Sequence, residues 1–186
     1  PEKAIDFPEN SCGEWFVSET RFGPLVHARL GIAEENSGKL VALVRQEARK
    51  LAEARGVNLL LTDGPPGVGC PVIASMGGAS GVLIVAEPSV SGVHDMERVV
   101  QLATHFNVPA MVCVNKFDIN TEKSRQIEEF ASRRGLAFLG RVPFDPAFTR
   151  AMVQGRTIFE YDGPSDARPA VVGVWNNLFG YLGMAA

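Results

Sequence analysis

Nowhere in the 186 residues does a G-x-x-x-x-G-K-[ST] phosphate loop occur, so no segment written here cradles nucleotide phosphates in that way. No apolar run approaches the length that spans a bilayer, and the N-terminus has no charged-then-apolar leader pattern. These two absences predict a cytoplasmic protein with no membrane partner. Basic excess is also missing: 18 Lys and Arg stand against 21 Asp and Glu, a net charge of −3 with no basic stripe, which argues against a nucleic-acid partner. The three cysteines, Cys12, Cys70 and Cys113, form no C-x-x-C. Neither a zinc site nor a ferredoxin-type cluster can be written from them, and they read as reduced thiols. Internal repeats and low-complexity segments are absent, which favours one domain.

What is present suits a globular core: 46% of residues are hydrophobic and 21% charged. Glu14–Val17 and Leu25–Leu30, joined through Phe22-Gly23-Pro24, predict a hairpin. Asn36-Ser37-Gly38 caps a helix to about Ala54, with Leu40, Leu43, Val44 and Leu51 at helical spacing, and Gly56 stops it. From there strands and helices alternate. Strands are expected at Val57–Thr62, Gly81–Ala86, Ala110–Val114 and Ala137–Arg141. Helices are expected from about Pro71, over Ser91–His105 and Thr121–Arg134, and near Pro146–Val153. Pro164–Pro169 reads as a polar linker before a terminal helix, Ala170–Leu182. Apolar strands separated by amphipathic helices predict an α/β fold, a mostly parallel sheet with helices on both faces.

Ligands of such sheets sit outside the carboxyl ends of the strands. Asp63, Asn115 and Pro143 fall just past predicted strand ends and are expected to share one rim. Asp63 ends NLLLTD and enters the turn GPPGVGCP. A single carboxylate suits Mg²⁺, which keeps several waters and takes its remaining ligands from phosphates. The alternative is an Asp capping the following turn. Gly67 can donate its N–H to a terminal phosphate and move when that phosphate leaves, or can merely complete a tight connection. In VCVNKFD, Asn115, Lys116 and Asp118 can meet a base with an amide, an aliphatic stem and a carboxylate. An amide suits adenine and a carboxylate suits guanine, so the residues leave the base open. An Asn/Asp helix cap is the alternative. Cys70 reads as a buried small hydrophobe rather than a ligand. His94-Asp95 reads as a solvated first turn, and Asn36-Ser37-Gly38-Lys39 as a helix cap rather than a phosphate loop.

The runs SETRFGPLVHARLGIAEENSGKLV, LLLTDGPPGVGCPVIAS, AEPSVSGVHD, VNKFDIN and GRVPFD together resemble the MinD/ParA/cobyrinic acid a,c-diamide synthase superfamily of P-loop ATPases. More closely, they resemble the MinD-like ATPases that carry an inserted ferredoxin domain. The resemblance implies a P-loop NTPase-like sheet and a cytoplasmic ATPase using ATP and Mg²⁺. Asp63 takes the Walker B position and Gly67 the switch II glycine. Asn115 takes the base-contacting position, beside Lys116 and Asp118. Pro143 and Asp145 match a second segment that lies against the base.

The phosphate-loop strand and the cysteine-rich insertion would precede Pro1. Residues 1–186 are therefore expected to be the C-terminal portion of a MinD-like nucleotide-binding domain, inactive alone. The whole protein is expected to be a homodimeric ATPase that handles an iron–sulfur or metal cluster, with an iron–sulfur or redox partner, any cluster residing in the N-terminal part. Two other readings stand beside it. One is an ATP-dependent amidoligase of the cobyrinic acid a,c-diamide synthase type, for which none of the cysteines sits in a nucleophile elbow. The other is a non-catalytic interaction module.

Overall fold

The computed structural model describes residues 13–31 and 37–184; Cys12 and the expected cap Asn36 lie outside the described residues. Two compact units divide the chain, Pro1–Gly77 and Gly78–Ala186.

In the first unit, β1 (Gly13–Thr20) and β2 (Gly23–Leu30) form the expected antiparallel hairpin, with Trp15 opposite Ala28 and Val17 opposite Val26. The turn is Arg21-Phe22. Thr20 Oγ1 closes it, accepting from Phe22 N at 3.2 Å and donating to Gly23 O at 2.7 Å. Helix α1 (Ser37–Arg55) packs against the hairpin, and Arg55 pairs with Glu19. Gly56, at φ 64, ends the helix: Val57 N bonds Ala52 O at 2.9 Å and Gly56 N bonds Glu53 O at 3.3 Å. A left-handed residue there lets the last carbonyls find donors, which glycine does without a Cβ penalty.

Helix α2 (Cys70–Met76) follows, with Pro71 in its first turn, where a missing N–H costs no bond. Arg45 of α1 reaches its far end, donating from one guanidinium nitrogen to Ala74 O at 2.8 Å and Gly77 O at 2.6 Å. These are carbonyls that a helix terminus leaves without partners.

Val57–Thr62, expected as a central strand, is not one. Residues 58–62 pair with no strand among the described residues, and Leu61 stays 74% exposed. A β-strand exists through the neighbour that takes its N–H and C=O groups. An apolar run without a ladder partner remains extended chain.

The second unit holds a parallel sheet in the order β3 (Val82–Ala86), β4 (Ala110–Asn115), β5 (Ala137–Val142). The crossovers contain α3 (Val90–His105) and α4 (Thr121–Arg133). After β5 come α5 (Ala147–Val153) and α6 (Ala167–Leu182). Central β4 is buried on both sides, as alternation requires when both faces are covered. Met111 and Cys113 join Leu139, Val142, Val174 and Leu178 in the layer under α6. Val112 and Val114, both 0% exposed, point to the opposite face, where α3 and α4 bury Met96, Val100, Ile127 and Phe130. Each such side chain contributes about 1.5–3 kcal/mol by leaving water.

The β4–β5 register slips between Val112 and Cys113, which oppose Phe138 and Gly140. The extra residue, Leu139, offers its carbonyl to Asn177 Nδ2 of α6 at 2.8 Å. The bulge thereby returns Val142 to the α6 face, opposite Asn115.

The Pro164–Pro169 linker is shorter than expected, because α6 starts at Ala167. Pro169 falls in its first turn, a position proline tolerates.

Candidate functional site

All three strands of the second unit run the same way, so their carboxyl ends form one edge. Glu87 follows β3, Asn115 ends β4, and Pro143 follows β5. Asn115 and Val142 are register partners, so Asn115 and Pro143 are next to each other on this edge, as expected. Asp63 and Gly67 belong to the first unit, where no strand end carries them.

Lys116 turns the chain off β4 in the left-handed conformation, φ 55, unusual for a residue with a side chain. Three neighbours fix the turn. Ile119 N bonds Lys116 O at 3.1 Å, and Phe117 N bonds Val142 O at 3.2 Å. Ser124 Oγ, on α4, donates to Phe117 O at 2.8 Å. The Lys116 ammonium pairs with Glu87 Oε1 at 2.6 Å.

Asp118 Oδ1 accepts from Phe144 N at 2.7 Å, binding the VNKFD loop to the VPFD loop. Asp145 does the same one layer on. Its Oδ1 accepts from Ala147 N at 2.8 Å at the start of α5, and its Oδ2 accepts from Ser165 Oγ at 2.6 Å and Ala167 N at 3.2 Å at the start of α6. The Ser165 hydroxyl, and then the Ala147 N–H, hold the Asp145 carboxyl below its ordinary pKa of 3.8.

These contacts divide the labour among the expected site residues. Asp118 holds the two loops together and Asp145 holds the starts of α5 and α6, and neither presents a free pair of carboxylate oxygens. The Asn115 side chain makes no hydrogen bond with any described residue and is only half-buried at the strand end. It is the group at this edge with donor and acceptor both in hand. The helix-cap alternative belongs to another residue: Asn120 Oδ1 caps α4 by accepting from Lys123 N at 3.0 Å.

In the first unit, Asp63 is exposed and has no hydrogen bond or ion pair with a described residue. Gly67, at φ 89, has no atom within 4 Å of where a Cβ would stand. One unengaged carboxylate followed by a glycine in a conformation other residues avoid fits a Mg²⁺ ion bound mainly through water and phosphate. No group of three or more His, Cys, Asp or Glu among the described residues is placed to hold a metal ion without such help. Cys70 is exposed at the start of α2, while burial pushes the Cys113 thiol up to about 11 and keeps it inert. His94 and Asp95 lie 4.0 Å apart and are both exposed, a solvated helix start as expected.

Glu87 was not among the residues singled out from the sequence. The signal was there, since VLIVAE is an apolar run ending in a carboxylate, the pattern that LLLTD also has. What composition does not carry is that Lys116 meets it. The backbone of Glu87 is held firmly. Ser89 N bonds Glu87 O at 2.8 Å, Ser89 Oγ caps α3 by accepting from Gly92 N at 2.9 Å, and a Cβ at Gly92 would lie 2.3 Å from Glu87 O. A glycine is therefore required there.

The chain is similar to known proteins along most of its length. An uncharacterized Methanocaldococcus jannaschii protein, MJ0578, is 34% identical over 97 residues, 52% of this chain and 34% of that protein. The cytosolic Fe-S cluster assembly factor NUBP2 of Bos taurus is 28% identical over 145 residues, 70% of this chain and 53% of that protein. Among solved structures, the cell division protein MinD of Aquifex aeolicus superposes with a TM-score of 0.62 at 20% identity, covering 88% of this chain and 68% of that one. At that identity the likeness shows the fold alone. The chain spans between about a third and about half the length of the curated relatives it matches. Residues 40–179, three quarters of the sequence, match the ParA-type family of NUBPL iron-transfer P-loop NTPases, and the chain belongs to that family.

Proposed function

We propose that residues 1–186 supply the nucleoside-reading side and the metal-ordering aspartate of an ATPase. In the whole protein, paired with a second copy, it couples ATP hydrolysis to handling an iron–sulfur or other metal cluster. The observation that carries the nucleoside part is the division of labour between Asn115 and Asp118. Reading guanine takes a carboxylate that accepts two N–H groups at once. Asp118 has one oxygen committed to Phe144 N, whereas the Asn115 amide is unengaged. An amide both donates and accepts, which matches the N6 donor and N7 acceptor of adenine. The edge formed by Asn115 and Pro143 is thus chemically suited to adenine over guanine.

Asp63 is the residue that would order Mg²⁺, and the ion would supply charge neutralisation to the phosphates. Gly67 would offer its N–H to the terminal phosphate. The cluster part rests on the family and on the described role of NUBP2, a cluster assembly factor. A redox or iron–sulfur partner follows from the same source, and no residue described here is assigned to the cluster. The phosphate-binding loop would come from elsewhere in the whole protein, so residues 1–186 alone should bind ATP weakly and hydrolyse none.

Calorimetry on the whole protein with Mg²⁺ tests the central claim. ATP should bind at least tenfold more tightly than GTP, and Asn115→Ala should erase that preference. Equal affinities for the two nucleotides, unchanged by Asn115→Ala, would overturn the reading.

A further inference from the structure

Two of the three acidic residues at the sheet edge accept from neighbouring segments, Asp118 from Phe144 N and Asp145 from Ala147 N, Ser165 Oγ and Ala167 N. Glu87 does not; its recorded side-chain partner is the Lys116 ammonium, at 2.6 Å. The pair lies across the ends of β3 and β4. Ala86 is the register partner of Val114, which places Glu87 one step past the β3 end, level with Asn115. Lys116 is the next residue after Asn115, and its left-handed φ of 55 redirects the chain at that point. A residue with a side chain holds that conformation when its surroundings over-determine it. The bonds from Phe117 N and Ile119 N fix the backbone of the turn, and Glu87 fixes the far end of the side chain.

The platform under Glu87 is rigid in its turn, because the start of α3 closes on its carbonyl and only glycine fits at position 92. Both side chains remain partly exposed, 38% for Lys116 and 51% for Glu87, so the pair faces outward beside Asn115 rather than into the core. A purely structural clamp has no need of that placement; the VNKFD and VPFD loops are already tied by Asp118.

We propose that Glu87 is a positioning residue for the nucleoside. Its carboxylate draws the Lys116 ammonium to the β3 side, so that the aliphatic stem of Lys116 forms a wall beside Asn115. The ammonium is neutralised and kept away from the exocyclic amino group of the base. This deepens the placement of a nucleoside at this edge and rests on it. A base contact formed equally in the ground and transition states changes the Michaelis constant and leaves turnover alone.

The test is steady-state ATP hydrolysis by the whole protein at low salt. Glu87→Gln should raise KM about two- to fivefold, the range of an exposed ion pair, with kcat unchanged. Glu87→Lys should raise it further, whereas Glu87→Asp, which keeps the negative charge, should raise it less than Glu87→Gln. Raising the salt should shrink the difference between Glu87→Gln and the unaltered protein. Loss of kcat with KM unchanged, or the same KM in Glu87→Lys as in the unaltered protein, overturns the inference. The Asn115→Ala variant separates two kinds of failure. If it weakens ATP binding while Glu87→Gln leaves KM unchanged, the role of Glu87 falls and the nucleoside placement stands. If neither variant changes ATP binding, both fall.

Discussion

The loop after Leu61 and the edge after β4 carry similar residues: an apolar run followed within a few positions by an acidic group and a left-handed residue, Asp63 and Gly67 in the one, Asp118 and Lys116 in the other. In the second unit that material is built into a sheet. Asn115 ends a strand hydrogen-bonded on both sides, its loop is tied to the next by Asp118, and Asp145 anchors the starts of two helices. In the first unit, residues 58–68 belong to no ladder, Asp63 is unengaged, and Gly67 stands in open space. The contrast suits two tasks. A base is read by a surface that stays still, whereas a phosphate that leaves during the reaction is tracked by a loop able to move with it.

Four experiments sharpen or break this contrast. The largest effect is expected at Asp63. In the whole protein, Asp63→Asn should cut ATP hydrolysis on the order of a thousandfold, because a group that orders the metal is worth several kcal/mol in the transition state. Nucleotide binding should change little, since the amide keeps the size of the carboxylate. Hydrolysis at the unaltered rate would remove the first unit from the chemistry altogether.

Stability comes next. Met111, fully buried under α6, should cost about 2–5 kcal/mol when changed to Ala. Leu61, 74% exposed, should cost about 0.5 kcal/mol or less. Denaturant midpoints of the two variants measure this directly, and equal losses would mean that Leu61 is buried in a ladder after all.

A smaller effect is expected at the reading edge. Asn115→Ala should raise KM for ATP roughly tenfold, worth about 1.4 kcal/mol, and spare kcat. A fall in kcat at constant KM would place Asn115 among the reacting groups and dissolve the distinction between a still surface and a moving loop.

The smallest is a pH effect. Asp145 has a folded-state pKa below its ordinary 3.8, so its hydrogen bonds stabilise the fold fully above that value and are lost as pH falls through the lower folded-state value. Melting temperature measured downward from pH 5 should fall more steeply with Asp145 present than in Asp145→Asn. The same slope in both proteins would show that this carboxylate does not anchor α5 and α6.

Much of this molecule was legible in the chain because its elements are determined locally. The hairpin, the long helices and the three strands of the parallel sheet follow from alternation, helical spacing and stop residues such as Gly56, which act within a few neighbours. Asn115 and Pro143 were placed on one edge because parallel strands of similar length must end together. Pro169 was misread as linker because proline is excluded from helix interiors but accepted in their first turn, and the boundary depends on where Asp145 catches Ala167 N. The pairing of Glu87 with Lys116 could not be read, since the partner lies 29 positions away.

The sequence alone determined which segments bury an apolar face and which residue types stand at strand ends, because periodicity and side-chain chemistry are properties of the chain itself. Only the tertiary structure decided how those residues are used. Val57–Thr62 has the composition of a strand and, among the described residues, no partner to make it one. Asp118 and Asp145 have the chemistry of ligands but are occupied by backbone donors, while Asn115 is left with its amide unengaged. The physical reason is the same in each case: a ladder or a hydrogen bond belongs to two partners, and composition names only one of them.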